Sequence, residues 1–234
     1  SIDTTELRPF PVSVKVLTCF NVPDYRFPQP GHPWSQDPAH QDVADRLLLN
    51  RHVRYYGDDI AAVIAENEIA AAQAVRALKV EYEELPFVLD VQKAMEPDAP
   101  QIHEDCPGNV LKHTDIRRGD YQTAIQEPGL IRVEGWYDTP TVQHCHIENH
   151  GCFAYEEAAV VVVTSTQIPH IVRRVIGQAM GIGWGSIRVI KPYIGGGFGN
   201  KQEVLYGLNA WLTTQVGGRC VRLDVSREET FQNT

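Results

Sequence analysis

No Cys-x-x-C pair occurs in this chain, and its five cysteines (Cys19, Cys106, Cys145, Cys152 and Cys220) are scattered and odd in number. They offer no ligand set for an iron–sulfur cluster and suit a reducing compartment, so a cytoplasmic location is expected. No apolar stretch approaches the ~18 residues of a membrane span. Basic runs and basic–aromatic interleaving are also missing, and the net charge is −9 with a pI near 5.4, which disfavours a nucleic-acid partner. What remains is 234 residues, 43% hydrophobic and 22% charged, enough for one large or two modest globular domains. The sequence opens at Ser1 without a methionine, and its last residues follow a strand-like run with no closing element. It therefore reads as a piece of a longer polypeptide.

The most unusual stretch is "KPYIGGGFGNKQEV", residues 191–204. Glycine is costly to order, so a cluster must supply a strained turn or a close backbone approach. Placed before a helix, such a turn gathers free N–H groups and the positive end of a helix dipole. Two nucleotide motifs fail here. Lys201 is flanked by Asn200 and Gln202, so the phosphate loop has no hydroxyl after its lysine, and Asn200 stands where the dinucleotide fingerprint needs its third glycine. A structural loop without a ligand is the alternative.

The surrounding pattern predicts two modules. Residues 12–19 alternate as a strand, 23–45 form a long excursion, 53–56 and 60–65 read as strands around a Gly57-Asp58 turn, and 80–85 as another. Between them an Ala-rich helix places Ile69, Ala72, Val75 and Leu78 on one stripe. Residues 97–114 read as a linker. Strands follow at 129–140, 143–156, 158–167, 186–194 and 220–226. Helices intervene, one with Ile168, Val172, Val175, Ile176 and Ala179 on its face and one with Val204, Leu208, Trp211 and Leu212. The fold class is mixed α+β and α/β, and the turns at Thr166-Gln167 and 195–201 lie where α/β units bind ligands. On a strand, His144, His146, Glu148 and His150 would share a face and could bind zinc or iron; ordinary strand packing is the competing reading.

Thr164 to His170, Val172-Arg173-Arg174, Arg188-Val189, Pro192 and Gly195 to Lys201 together resemble the molybdopterin-binding large subunit of the xanthine dehydrogenase and aldehyde oxidase family. "RYYGDDIAAVIAE" and "AAAQAVRALKVEYEELP" resemble that family's α/β hammerhead domain. The resemblance implies a hammerhead-type domain over residues 1–110 and the first part of a molybdopterin-binding domain over 111–234. It implies a molybdopterin-type cofactor whose metal is held by pterin sulfurs, not by protein side chains. Gln167, Gly196, Gly197, Phe198 and Gly199 would line that cofactor, with no side chain crowding it at the glycines. Gln202 would contact substrate, Glu148 would serve as scaffold, and Arg173, Arg174 and Lys191 would reach the pterin phosphate or else be solvated. The implied reaction hydroxylates an electron-poor carbon, with oxygen from water, in an N-heterocycle such as a purine. Electrons would leave through 2Fe-2S clusters to FAD on other subunits or domains. The glutamate base lies in a later segment of the family, so no catalytic residue is expected in this chain, and the chain alone is expected to be inactive. The alternatives are a non-catalytic binding or assembly module, or an aldehyde- or carbon monoxide-oxidising member.

Overall fold

The computed structural model describes residues 1–5, 15–28, 44–111, 113, 115–204 and 207–233. Much of the 23–45 excursion, and the first residues of the expected strand at 12–19, lie outside the described residues. The described residues pack as two compact units, one of residues 1–83 and 143–234, the other of residues 84–142.

In the first unit, β1 (Ile2–Asp3) and β2 (Lys15–Thr18) come before β3 (Ala61–Ile64). α1 (Glu68–Ala77) and β4 (Lys79–Val80) follow. β1 pairs with β4 and β2 with β3, both antiparallel. The 53–56 segment is not a strand. It bends instead, because Asp58 Oδ2 accepts from the Arg54 N–H at 2.9 Å and Asp58 Oδ1 from Asn50 Nδ2 at 3.0 Å. The helix starts where Asn67 Oδ1 caps the Ala70 N–H. Its stripe is rotated from the expected one: Ala70 and Ala74 are buried, whereas Ile69 and Val75 are exposed. Small alanines let the helix approach the sheet closely, and that packing overrides the larger side chains. Of the expected strand at 80–85 only Val80 lies in a strand, as the second residue of β4.

The same unit continues as β5 (Gly151–Glu156), β6 (Val160–Thr164), α3 (Pro169–Met180), β7 (Ile187–Ile190), α4 (Gly207–Thr214), β8 (Val221–Asp224) and α5 (Arg227–Asn233), α2 (Tyr121–Ala124) belonging to the other unit. The sheet order is β7-β6-β5-β8, parallel between β6 and β7 and antiparallel elsewhere. The β6-α3-β7 crossover is the α/β unit that the alternating pattern predicts. Pro169 begins α3 and left-handed Gly181 ends it, and Val172, Val175, Ile176 and Ala179 are fully buried. On α4, Leu208 and Leu212 are buried in the same core as Val204, as expected. α5 was not expected. Its start is a reciprocal cap, with the Ser226 N–H donating to Glu229 Oε2 at 2.7 Å and the Glu229 N–H to Ser226 Oγ at 3.1 Å.

The 143–156 expectation holds only from Gly151 onward. Residues 143–150 are irregular, and Cys145 has φ of 52°, which no strand tolerates. In the other unit, residues 129–140 carry no strand pairing, and Pro107–Asn109 forms a short 3₁₀ turn within the expected linker.

Candidate active site

The turn after β6 and the loop after β7 meet. The Gln167 N–H donates to the Lys201 carbonyl at 2.9 Å, and Thr166 Oγ1 donates to the same oxygen at 3.3 Å. In return the Gly199 N–H donates to Gln167 Oε1 at 3.2 Å. The amide oxygen is thereby engaged, so Nε2 is the group of Gln167 left to donate.

At three of the glycines this chain's own atoms leave little room for a side chain. A Cβ on Gly195 would stand 2.6 Å from Glu148 Cβ, on Gly196 3.2 Å from His146 Cβ, and on Gly197 2.7 Å from Gln167 Oε1. The faces where a Cβ would stand are filled by this chain's own atoms. Gly199 is glycine for its backbone, with φ of 97°. Phe198 adopts φ of 52° without that freedom, and the residue is 74% exposed. Such strain persists only where the surroundings enforce it.

Among the described residues, the N–H groups of Gly196, Gly197 and Phe198 meet no acceptor, while Gly195 and Gly199 spend theirs on Glu148 and Gln167. Three consecutive free donors beside an exposed ring and a neutral amide form a cradle for an oxygen-rich, uncharged or anionic group. The loop does not run straight into a helix. It passes through a 3₁₀ turn, Asn200–Gln202, and places half-buried Gln202 there.

Beside the loop lies a polar layer that joins Lys201 and Asn200, read from the sequence only as motif letters, to Glu148, expected as scaffold, and to His146 and His150, weighed there as metal ligands. Lys201 is 1% exposed, and its Nζ donates to Glu148 Oε2 at 2.6 Å. The Gly195 N–H donates to that same oxygen at 2.8 Å. His146 is fully buried, with Nδ1 bonded to the Glu148 carbonyl. Nδ1 must then carry the proton, so Nε2 accepts from Asn200 Nδ2 at 3.0 Å. Asn200 Nδ2 also donates to Gln143 Oε1 at 3.1 Å, which uses both amide hydrogens. His150 packs edge-on to His146 at 5.0 Å. Burial pushes His150 down to about 4, and the nearby Lys201 ammonium acts in the same direction. Burial also lowers His146, against its bond to Glu148. Burial alone would raise Glu148, but the bonds from Lys201 and Gly195 hold it below the usual carboxylate range.

His144, His146, Glu148 and His150 do not share a strand face, because the segment is not a strand. Among the described residues no group of three His, Cys, Asp or Glu side chains is placed to hold a metal ion. Arg173 and Lys191 are exposed, whereas Arg174 is 5% exposed, so the solvated reading does not apply to it.

Residues 102–234 match the molybdopterin cofactor-binding domain, and residues 1–86 match the a/b hammerhead domain of aldehyde oxidase and xanthine dehydrogenase. The chain belongs to the xanthine dehydrogenase and aldehyde oxidase family of molybdenum hydroxylases. It is 43% identical to a putative xanthine dehydrogenase molybdenum-binding subunit of Escherichia coli (strain K12), over 100% of this chain and 31% of the relative. Aldehyde oxidoreductase from Desulfovibrio gigas superposes with a TM-score of 0.87 at 27% identity, covering 100% of this chain and 26% of that one. Quinoline 2-oxidoreductase from Pseudomonas putida 86 gives 0.79 at 28% identity, over 99% and 29%. The chain thus spans between about a quarter and a third of the length of these relatives. Among the described residues no helix is long and apolar enough to cross a membrane.

Proposed function

We propose that this chain is the hammerhead part (1–110) and the first molybdopterin-binding part (111–234) of a xanthine dehydrogenase-like hydroxylase, acting on an N-heterocycle such as a purine. The observation that carries this is the cradle: the N–H groups of Gly196, Gly197 and Phe198, without an acceptor among the described residues, beside Gln167 and exposed Phe198. These donors fit the oxygen atoms of a molybdopterin-type cofactor. When bound, that group supplies two-electron redox chemistry and transfer of oxygen from water. The chain's part is to hold and orient. The three N–H groups donate without adding charge, Gln167 Nε2 offers a further neutral donor, and Phe198 walls one side.

Gln202 is assigned to the substrate pocket. A neutral amide both donates to and accepts from a heterocycle edge but cannot exchange a proton at neutral pH. The general base is placed outside these residues, so the 234-residue polypeptide alone is expected to show no turnover. The remainder of the large subunit, with 2Fe-2S and FAD subunits, completes the assembly. A second reading, an aldehyde-oxidising member, is supported by the TM-score of 0.87 with the Desulfovibrio gigas enzyme.

Metal analysis and a substrate panel on the intact protein separate these readings. Molybdenum near one per protomer with turnover of purines is expected. Molybdenum with turnover of aldehydes only would favour the second reading, and a protein without molybdenum would be a binding or assembly module. Gln202→Glu is expected to change the pH profile or the preference among purines, nicotinate and aldehydes while leaving metal content intact.

A further inference from the structure

Lys201 is the most deeply buried cation of the described structure, and nothing in the proposed chemistry uses its charge. Its side chain has no exposure, and among the described residues its ammonium has one acceptor, Glu148 Oε2. Burying an ammonium is costly unless it is paired, so this lysine is retained for something an apolar side chain could not do. The bonding around it shows what that is. One carboxylate oxygen takes both the Gly195 N–H and the Lys201 ammonium, which are the first and last residues of the glycine loop. The Glu148 N–H donates back to the Gly195 carbonyl at 3.2 Å. The Lys201 carbonyl, meanwhile, takes the Gln167 N–H and the Thr166 hydroxyl. One residue therefore joins three segments: 148, 166–167 and 195–199.

We propose that Lys201 and Glu148 are positioning residues, a charged clip that fixes the curvature of residues 195–199 and so aims the N–H groups of Gly196, Gly197 and Phe198. Geometry supports a clip over a mere filler. Anchoring both loop ends on one oxygen leaves only three peptide units between the fixed points and the Gln167–Gly199 bond, which is how Phe198 is held at φ of 52°. The two partners are unequal. Lys201 is sealed, whereas the Glu148 side chain is 39% exposed. Water can solvate the carboxylate if the lysine is lost, but cannot reach the lysine if the carboxylate is lost.

This inference rests on the cofactor reading above, and its test keeps the two apart. Three variants of the intact holoenzyme are compared with the parent: Lys201→Met, which keeps length and apolar bulk, Glu148→Gln, which keeps an acceptor for the Gly195 N–H, and the double variant. Amide hydrogen exchange at residues 195–199, molybdenum content and thermal unfolding are measured. Exchange in Lys201→Met is expected to rise about tenfold or more at the loop while the α3 amides stay protected. Molybdenum content should fall with it. Glu148→Gln should be the worse single variant, and the double variant should recover unfolding temperature relative to Glu148→Gln, because the stranded charge is gone, without recovering loop protection. Unchanged loop exchange in Lys201→Met, or a uniform rise across the protein, overturns the clip. A parent that carries no molybdenum overturns the cofactor reading, whatever the exchange shows. Full molybdenum content in a Lys201→Met protein with a loosened loop separates the clip from the cradle and overturns the inference.

Discussion

At residue scale, the glycine loop distinguishes two kinds of glycine, and substitution should separate them. An Ala at 195 would press its Cβ against Glu148 Cβ, an atom one bond from backbone that cannot swing away. An Ala at 197 would press on Gln167 Oε1, the far end of a flexible side chain. Gly195→Ala is therefore expected to lower unfolding stability by about 1–3 kcal/mol, the usual cost of overpacking. Gly197→Ala should instead expel the Gln167 amide, lose the Gly199 bond, and match Gln167→Ala in turnover, a loss of about 10²–10³ for a donor aimed at developing charge. Steady-state kinetics with thermal melts on both variants decide it; a Gly197→Ala enzyme with parental turnover would show that Gln167 acts from elsewhere. The buried histidine gives a pH test. His150 is held near 4 when folded against about 6.5 unfolded, so the unfolded chain takes up the proton first. Its contribution is whole above pH 6.5 and is lost as pH falls towards 4, by about 3 kcal/mol in total. His150→Phe should flatten that slope relative to the parent, other groups cancelling in the difference. Parallel stability curves between pH 7 and 4 would contradict it.

At the scale of elements, the sequence was most legible where local and global signals agree. α3 has Pro169 at its start, Gly181 past its end and a continuous apolar stripe, and it was legible throughout. That the turn at Gln167 and the loop at 195–201 come together was legible from their place after parallel strands. Where local signals conflict with tertiary packing, the reading failed. Period-two patterning at 143–150 suggested a strand, but its buried His146 and His150 bond to Asn200 and Cys145 takes a positive φ. Ile69 and Val75 outweigh alanine on any hydropathy scale, yet close packing selects Ala70 and Ala74. The burial of Lys201 carries no local signal, because only the fold brings Glu148 to it. The closing helix did carry one: Ser226-x-x-Glu229 is a capping box, and its reciprocal bonds form. Thr230 on this helix is fully buried, and its carbonyl accepts from Gln143. Ser226→Ala should cost about 1 kcal/mol, read as a lowered unfolding temperature, and an unchanged melt would mean that α5 is held by Thr230 and its neighbours rather than by its cap.

At the scale of the whole molecule, the core of the first unit is built from both ends of the chain. Leu17, Phe27, Leu48 and Leu49 lie in one buried cluster with Val172, Val175, Ile176 and Leu208. The two stretches that build it, 1–83 and 143–234, are separated in sequence by the second unit. Within that unit Ile131, Val133, Trp136 and Tyr137 are each more than 85% exposed, and residues 129–140 have no strand partner. Backbone that is exposed and unpaired is what a protease can draw into its cleft, whereas backbone under a packed core is not. Brief chymotrypsin treatment of the 234-residue polypeptide should therefore cut first after Trp136 or Tyr137. The cut should not release the pieces, because burying the shared leucines and valines still drives them together, at about 25 cal/mol for each Å² of apolar surface kept from water. Native mass spectrometry should find the two fragments as one complex, and denaturing electrophoresis should resolve them. Fragments that separate under native conditions would mean that the N-terminal leucines add little to the core. First cuts within α3 or β6 would mean that the core itself opens before residues 129–142 are reached.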